Sequence, residues 1–358
     1  MTFLADLPIR DDLRGLTPYG APQKQVRVAL NVNENTHPIP EAVATDIVAA
    51  LAAAVLGVNR YPDREFTQLR ESLAGYLGHG LRRDNIWAAN GSNEVLQQIL
   101  LAFGGPGRSV LGFPPTYSMH SIIARGTGTR WLDGRRDAGY AISPATAVHW
   151  VEKTQPDVVF FCSPNNPTGT PLQLETIAAA YEATKGIVVV DEAYIEFAPA
   201  EEPTALTLLD GRERLIVSRT MSKAFAFAGA RVGYLAADAA VSDAMRLVRL
   251  PYHLSAFTQA AATAALANAP AMLAMVDDIK FQRDRLIKQL PVLGYSPLPS
   301  WSNFVLFGGI DDPHAVFEKL LEQDILIRDV GIQNHLRVTA GSETETTSFL
   351  SALARIAE

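Results

Sequence analysis

Lys223 stands in Thr220-Met221-Ser222-Lys223-Ala224-Phe225, with hydroxyls just before it, small and apolar residues after it, and Arg231 eight positions later. An amine in apolar surroundings gives up its proton more readily, becomes a nucleophile and can form a Schiff base with a carbonyl compound. Hydroxyls and a guanidinium beside it suit a phosphate. Taken alone, the lysine reads as well as a surface residue snorkelling to water. Other groups shift the balance. Asp191 closes the apolar run Ile187-Val188-Val189-Val190. A carboxylate there needs a partner, and a protonated pyridine nitrogen is one. Asn166 can hydrogen-bond a phenolic oxygen on the same ring, and Tyr117 can either stack on the ring face or pack in a core. Gly91-Ser92-Asn93 precedes a helix-like segment, whose first N–H groups are either capped locally or left to hold an anion.

These groups need a scaffold that brings them to one place. Short apolar, β-rich runs at 110–113, 158–162, 187–190 and 215–218 alternate with helix-like segments at 41–56, 93–103 and 172–184. That alternation predicts βαβ units around a mostly parallel sheet buried on both faces. Ligands of such sheets sit beyond the carboxyl ends of the strands. Ser163-Pro164-Asn165-Asn166-Pro167-Thr168-Gly169, then Asp191-Glu192, then Arg219-Thr220-Met221-Ser222-Lys223 each follow one of these runs. A lysine, an aspartate, an asparagine, a helix-start cup and an arginine on one sheet edge are the inventory for pyridoxal phosphate. Further on, helical sequence at 255–269 and 272–290 leads to a strand at 303–307 and a helix at 313–322. The runs 325–328 and 336–339 and a last helix from 343 follow. This order predicts a smaller α+β domain. The expected division is an N-terminal arm over 1–40, packing with the small domain or a partner subunit, a large domain over 41–260 and a small one over 261–358.

Composition limits the alternatives. The 358 residues are too many for one simple core at about 100–200 residues per domain. Charged residues are only 19%, against about 25% in an average soluble domain, which points to surface buried between domains or subunits. A net charge of −7 without a basic run argues against nucleic-acid binding. Cys162 is the single cysteine, so no internal disulfide and no paired-cysteine metal site are expected, and a reducing, cytoplasmic setting is. The start of the chain carries acids rather than a signal peptide's basic and apolar regions. The longest apolar stretch, 47–58, is far short of the roughly 20 residues that span a bilayer. No phosphate-loop, nucleophile-elbow, zinc-protease or EF-hand motif occurs. Gly126-Thr127-Gly128 is only a fragment of a dinucleotide fingerprint, with Trp131 in the place of its third glycine.

The chain resembles the fold-type I pyridoxal-phosphate aminotransferases of the class II branch, and within them those acting on histidinol phosphate. The likeness runs through Leu30-Asn31-Val32-Asn33-Glu34-Asn35, Arg60-Tyr61-Pro62-Asp63 and Ala89-Asn90-Gly91-Ser92-Asn93-Glu94. It continues in 163–169, Val190-Asp191-Glu192-Ala193-Tyr194, Ser222-Lys223, Ile325-Leu326-Ile327-Arg328-Asp329 and Leu336-Arg337-Val338-Thr339. Two places depart from the family pattern: Thr36 follows Asn33-Glu34-Asn35 where a proline is usual, and Asn93 stands where many relatives have aspartate.

The resemblance implies that Lys223 is the Schiff-base lysine and proton shuttle and that Asp191 pairs with the ring nitrogen. It likewise implies that Asn166 and Tyr194 serve the ring oxygen and that Tyr117 stacks. Ser92, Asn93, Ser222 and Arg231, with Thr220 as a further candidate, would form the phosphate cup, joined by Tyr61 from the other subunit of a homodimer. Arg337 would hold a substrate α-carboxylate and Arg328 the substrate phosphate. Asn35, Tyr19 and Tyr252 are candidate pocket residues; Tyr19 and Tyr252 read equally as packing. The implied reaction is amino transfer between L-histidinol phosphate and 2-oxoglutarate, giving 3-(imidazol-4-yl)-2-oxopropyl phosphate and L-glutamate in L-histidine biosynthesis. Alternatives on the same scaffold are transamination of aromatic amino acids and decarboxylation of a phosphorylated amino acid. A further one is a cofactor-sensing transcription regulator, which would need a DNA-binding domain that the short stretch before Leu30 does not accommodate.

Overall fold

The structure is a computed structural model that describes residues 3–357; residues 1 and 2 of the expected arm and residue 358 of the expected small domain lie outside the described residues. Its centre is a seven-stranded sheet with the strand order Ile86–Ala89, Gly233–Ala237, Leu215–Thr220, Ile187–Asp191, Val158–Cys162, Ser109–Gly112, Arg130–Asp133. Gly233–Ala237 runs antiparallel to both of its neighbours, and the other paired strands are parallel. Every residue of Val158–Cys162 and of Leu215–Thr220 is buried. Coverage on both faces explains why Val158–Cys162, and Leu215 to Val217 at the start of the other strand, read as unbroken apolar runs rather than as alternating patterns. Helix Ser92–Phe103 packs against Met119–Gly126 and Ala239–Val248, and Pro144–Thr154 packs against Leu174–Ala183.

Two strands extend beyond the expected limits, each for a reason in the ladder. Ile187–Asp191 includes the aspartate because Asp191 pairs with Cys162 on one side and Ser218 on the other. Leu215–Thr220 runs to Thr220 because Gly233 of the antiparallel strand pairs with it.

The C-terminal part forms a second sheet, in the order Leu336–Thr339, Phe304–Gly308, Ser296–Pro297, all antiparallel. Val28–Ala29 pairs in parallel with Ile325–Leu326, which ties the end of the arm to this part. Nearer the N-terminus the arm instead touches the large sheet's surroundings: Arg10 donates to the carbonyls of Gly126 and Arg125. The division expected near residue 260 falls inside helix Ala256–Ala267, which packs on Glu41–Val55 and Thr67–Leu77. At Asn268 the chain turns by 76° into Ala269–Gln289, which packs against Glu343–Ala357 and Phe304–Gly308 and also against Ile195–Phe197, so this helix touches both parts. No single helix among the described residues is long and apolar enough to cross a membrane.

Candidate active site

Strand ends of the parallel sheet deliver the polar groups. Asn166 follows Val158–Cys162, Asp191 closes Ile187–Asp191, and Ser222 and Lys223 follow Leu215–Thr220. Gly233 opens the antiparallel strand opposite both Thr220 and Ala89, so Arg231, two residues earlier, emerges at the same edge beside the start of helix Ser92–Phe103. A side chain at Gly233 would overlap the backbone of Gly91 and Ser92, so only glycine permits this close approach. Together these segments line a cavity of about 360 Å³.

The cavity gathers Lys223, Asp191, Asn166, Tyr117 and Tyr194 with Ser92, Asn93, Thr220, Ser222 and Arg231. Tyr19, Arg328 and Arg337 complete it from the arm and the C-terminal part. Lys223 Nζ donates to the Val32 carbonyl at 3.1 Å. Burial first, and then Arg337 and Arg231, pull its ammonium down to about 8, against an opposing pull from Glu34. Asp191 is 1% exposed. Its Oδ2 lies 3.1 Å from Nε2 of the equally buried His120, and its Oδ1 has no hydrogen-bond partner. Tyr194 Oη accepts from Asn33 Nδ2 at 3.0 Å and from Asn166 Nδ2 at 3.4 Å. A hydroxyl that already accepts twice keeps its own proton for a third partner. Burial pushes both Tyr194 and Tyr117 upward, so both phenols stay protonated donors. Tyr117 Oη donates to Asn93 Oδ1 at 3.2 Å.

Arg337 comes from strand Leu336–Thr339, opposite Leu306. Its Nη1 donates to Asn166 Oδ1 at 2.6 Å and its Nη2 to the Asn31 carbonyl at 2.9 Å, while Nε is buried without a partner. The guanidinium lies 5.1 Å from the centre of the Phe304 ring. Burial pulls it down to about 10, with Arg328 adding to that pull. Arg328 sits 6.0 Å from the Tyr19 ring.

These residues fit a phosphorylated pyridine. The unpartnered, buried Asp191 Oδ1 is an acceptor waiting for a donor inside the cavity, and unsatisfied buried polar atoms are rare enough to need a reason. Helix Ser92–Phe103 has Gly91 at its N-cap and no side-chain cap, which leaves first-turn N–H groups open to an anion. Gly91 has φ +86°, and a side chain there would overlap the Arg231 guanidinium. Thr220 Oγ1 accepts from the Ser222 N–H at 3.1 Å and lies 3.0 Å from Ser222 Oγ, fixing the hydroxyl beside Lys223.

Three of the expected residues lie outside the cavity. Asn35 lines a neighbouring cleft and donates to the Ala224 carbonyl at 3.4 Å. Tyr61 and Tyr252 stack on each other with ring centres 4.4 Å apart, in a separate and more open cleft. Conversely, His120, Asn33, Asn31 and Val32 belong to the site although their side-chain types alone do not mark them. For His120 the available signal is its place three residues after Tyr117, on helix Met119–Gly126; for the others it is proximity to Glu34 in the quoted segment.

The family profile for aminotransferases of class I and II matches residues 26–353. The histidinol-phosphate aminotransferase of Paenarthrobacter aurescens (strain TC1) is 62% identical over 350 residues, covering 97% of this chain and 94% of that one. That of Thermobifida fusca (strain YX) is 55% identical over 348 residues, covering 97% and 95%. The crystal structure of histidinol-phosphate aminotransferase from Sinorhizobium meliloti, in complex with pyridoxal-5'-phosphate, matches with a TM-score of 0.87 over 98% of this chain and 97% of that chain. At 24% identity, that last likeness is one of fold. On the profile and the two relatives, the chain belongs to the class I and II aminotransferases.

Proposed function

We propose that this chain is a pyridoxal-phosphate-dependent aminotransferase that moves an amino group between L-histidinol phosphate and 2-oxoglutarate, giving 3-(imidazol-4-yl)-2-oxopropyl phosphate and L-glutamate, within L-histidine biosynthesis. The observation that carries the reading is one cavity holding a lysine amine, a buried carboxylate with a spare acceptor oxygen, and three arginines. When bound, pyridoxal phosphate supplies a protonated, conjugated ring that takes up the electron pair left at the substrate's Cα. Lys223 Nζ would remove the Cα proton and return it two atoms away; an amine lowered to about 8 is free in a minority of molecules at neutral pH and in most of them at mildly alkaline pH. Asp191 Oδ1 would accept from the ring N–H, while His120 orients the carboxylate through its other oxygen. Tyr194 would donate a hydrogen bond to the ring oxygen and keep its proton, with Asn166 beside it. The first N–H groups of helix Ser92–Phe103, together with Ser222, Thr220 and Arg231, hold the cofactor phosphate. Arg337 and Arg328 receive the anionic group of either substrate.

The active unit is a homodimer in this reading. Tyr61 is 79% exposed and stacks on Tyr252, and the exposed Val58 and Phe257 line the same cleft. Tyr61 then serves the partner's cofactor phosphate rather than its own. The lone, buried Cys162 suits a reducing compartment, and the cytoplasm is the location we assign.

Mixing the cofactor-loaded protein with histidinol phosphate, phenylalanine or phosphothreonine, and following the cofactor's absorption and the products, tests the reading. Rapid conversion by histidinol phosphate, with return on adding 2-oxoglutarate, is the expected result. A faster response to phenylalanine, or release of carbon dioxide from phosphothreonine, would replace it.

A further inference from the structure

Arg136 does not line the cavity; it sits in the turn after strand Arg130–Asp133, and none of the site's chemistry uses it. It is half-buried, and among the described residues no carboxylate lies within 4.0 Å of it. Its guanidinium is instead spread over three neutral acceptors. Nε donates to the Phe113 carbonyl at 2.8 Å, Nη1 to the Tyr140 carbonyl at 3.0 Å, and Nη2 to Asn165 Oδ1 at 2.9 Å. A cation placed on carbonyls is dearly desolvated, and burial pulls this guanidinium down to about 10. Such a group calls for a purpose.

The sheet supplies one. Strands Ser109–Gly112 and Val158–Cys162 pair only at Val110 with Val158 and at Leu111 with Val159. The next pair of strands, by contrast, stays in register as far as Cys162 and Asp191. Beyond Leu111 and Val159 the two chains part, and they part just before the loops that carry Tyr117 and Asn166. Arg136 spans that gap. One N–H holds the Tyr117 loop at Phe113, another holds the Asn166 loop at Asn165. Asn165 is fully buried and carries the link onward, donating to the Pro115 carbonyl at 3.0 Å and to Thr168 Oγ1 at 2.8 Å, and accepting from Thr116 Oγ1 at 3.1 Å. The turn that bears Arg136 is itself fixed: Gly134 N–H extends the strand ladder to the Gly112 carbonyl at 2.7 Å, and Asp137 Oδ1 accepts from the Gly139 and Ala141 N–H groups.

We infer that Arg136 is a positioning residue, a three-pronged fork that replaces the missing strand pairing and sets the spacing between stacking Tyr117 and ring-oxygen partner Asn166. This inference rests on the cofactor reading above. A planar, preorganised fork suits the task where a flexible ammonium does not. Arg136→Met and Arg136→Lys should therefore behave alike, because a single ammonium cannot reach three divergent acceptors.

The test uses the cofactor-loaded protein and three readouts: the cofactor's dissociation constant, the pH midpoint of its visible absorption band, and the melting temperature of the cofactor-free chain. With the ring-oxygen donors displaced, that oxygen becomes more basic, so the midpoint should rise in both variants. The dissociation constant should rise about tenfold, the equivalent of one charge-assisted hydrogen bond. Asn165→Ala, which leaves Arg136 on its other two acceptors, should shift the midpoint in the same direction and stands in should the Arg136 variants fail to fold. A lowered melting temperature with unchanged midpoint and affinity would make Arg136 a mere loop staple and overturn the inference, as would full recovery in Arg136→Lys. An unaltered protein that develops no visible band with pyridoxal phosphate would instead overturn the cofactor reading itself.

Discussion

Arg328 and Arg337 face each other across an isolated antiparallel bridge, the N–H of each donating to the carbonyl of the other at 3.0 and 2.9 Å. Residues paired in this way put their side chains on one face of the ladder, and like charges directly opposite repel. Both guanidiniums line the same cavity, and Arg328 is one of the causes that lower Arg337. The backbone thus enforces a juxtaposition of cations that the side chains would not choose. An anion delivered between them would relieve it, and this supports our proposal that the pair receives a phosphate or a carboxylate.

The lowered amine of Lys223 has consequences before any turnover. Only the neutral amine condenses with a carbonyl, so the rate at which the cofactor-free chain takes up pyridoxal phosphate should rise with pH through about 8 and then level off. Stopped-flow growth of the visible band across a pH series reads this directly, and a flat profile would contradict it. Stability carries the same signature. Between about 8 and the ordinary lysine value of 10.5 the unfolded chain holds a proton that the folded one lacks. This group's contribution to the cofactor-free protein's stability therefore improves as pH rises through that window. Lys223→Ala should fold, lose the band and lose nearly all turnover.

Asp191 and His120 should separate into a group that touches the cofactor and one that acts through it. Asp191→Asn keeps its shape but cannot hold the ring nitrogen protonated, so it should retain cofactor and lose about 10²–10³-fold in rate, the usual loss for one preorganised electrostatic group. His120→Phe leaves the carboxylate in place and removes the 3.1 Å contact that orients it. A loss of roughly ten- to a hundred-fold is expected, with substrate KM little changed. Single-turnover rates on both variants decide it; equal losses would mean that His120 takes part in the chemistry directly.

How much of this was readable beforehand follows from where each signal resides. Strands Val158–Cys162 and Ile187–Asp191 announce themselves because burial on both faces leaves continuous apolar runs. Ile86–Ala89 and Gly233–Ala237 do not, since each ends in two alanines of little strand preference; they pair with each other, and Gly233–Ala237 also pairs with Leu215–Thr220. In the site, Asn166, Asp191 and Lys223 are legible from their position after strand-like runs. The contacts of His120 with Asp191 and of Asn33 with Tyr194 join residues 71 and 161 positions apart, and no local pattern encodes such a meeting. Arg136 is hidden in the same way: its fork joins loops that only the sheet brings side by side.

Tyr61 permits a test that needs two inactive parents. If it serves the other subunit, a Lys223→Ala chain and a Tyr61→Ala chain, mixed and reassorted, should yield hybrids in which one site has both residues intact. Activity should then climb toward a fraction of the unaltered level set by the share of hybrids. Verified hybrids that stay as inactive as their parents would place Tyr61 in the service of its own chain, stacked on Tyr252 as seen at 4.4 Å.

Substrate choice should divide between the two bridged arginines. Histidinol phosphate has no α-carboxylate and glutamate has no phosphate, yet both use one cavity. Arg337 is fixed from two sides, by Asn166 Oδ1 and the Asn31 carbonyl, and keeps an unpartnered Nε for an incoming anion. It is suited to grip the common anionic group in both half-reactions. Arg328 forms no ion pair among the described residues and meets only the Tyr19 ring at the cavity mouth, so its charge is free to add to that grip. A phosphate, with more charge and more acceptor oxygens, draws on the second cation more than a carboxylate does. Losing a charge-assisted contact costs about 1.5–3 kcal/mol, or roughly ten- to a hundred-fold. Arg337→Ala should therefore slow both half-reactions by that order, whereas Arg328→Ala should slow histidinol phosphate by that order and phenylalanine much less. Arg328→Lys should recover part of the loss, because a point charge still attracts phosphate although it forms no fork. Single-turnover rates with histidinol phosphate, glutamate and phenylalanine settle the division. Equal losses for the phosphorylated and unphosphorylated donors in Arg328→Ala would remove that arginine from substrate choice and leave Arg337 to discriminate alone.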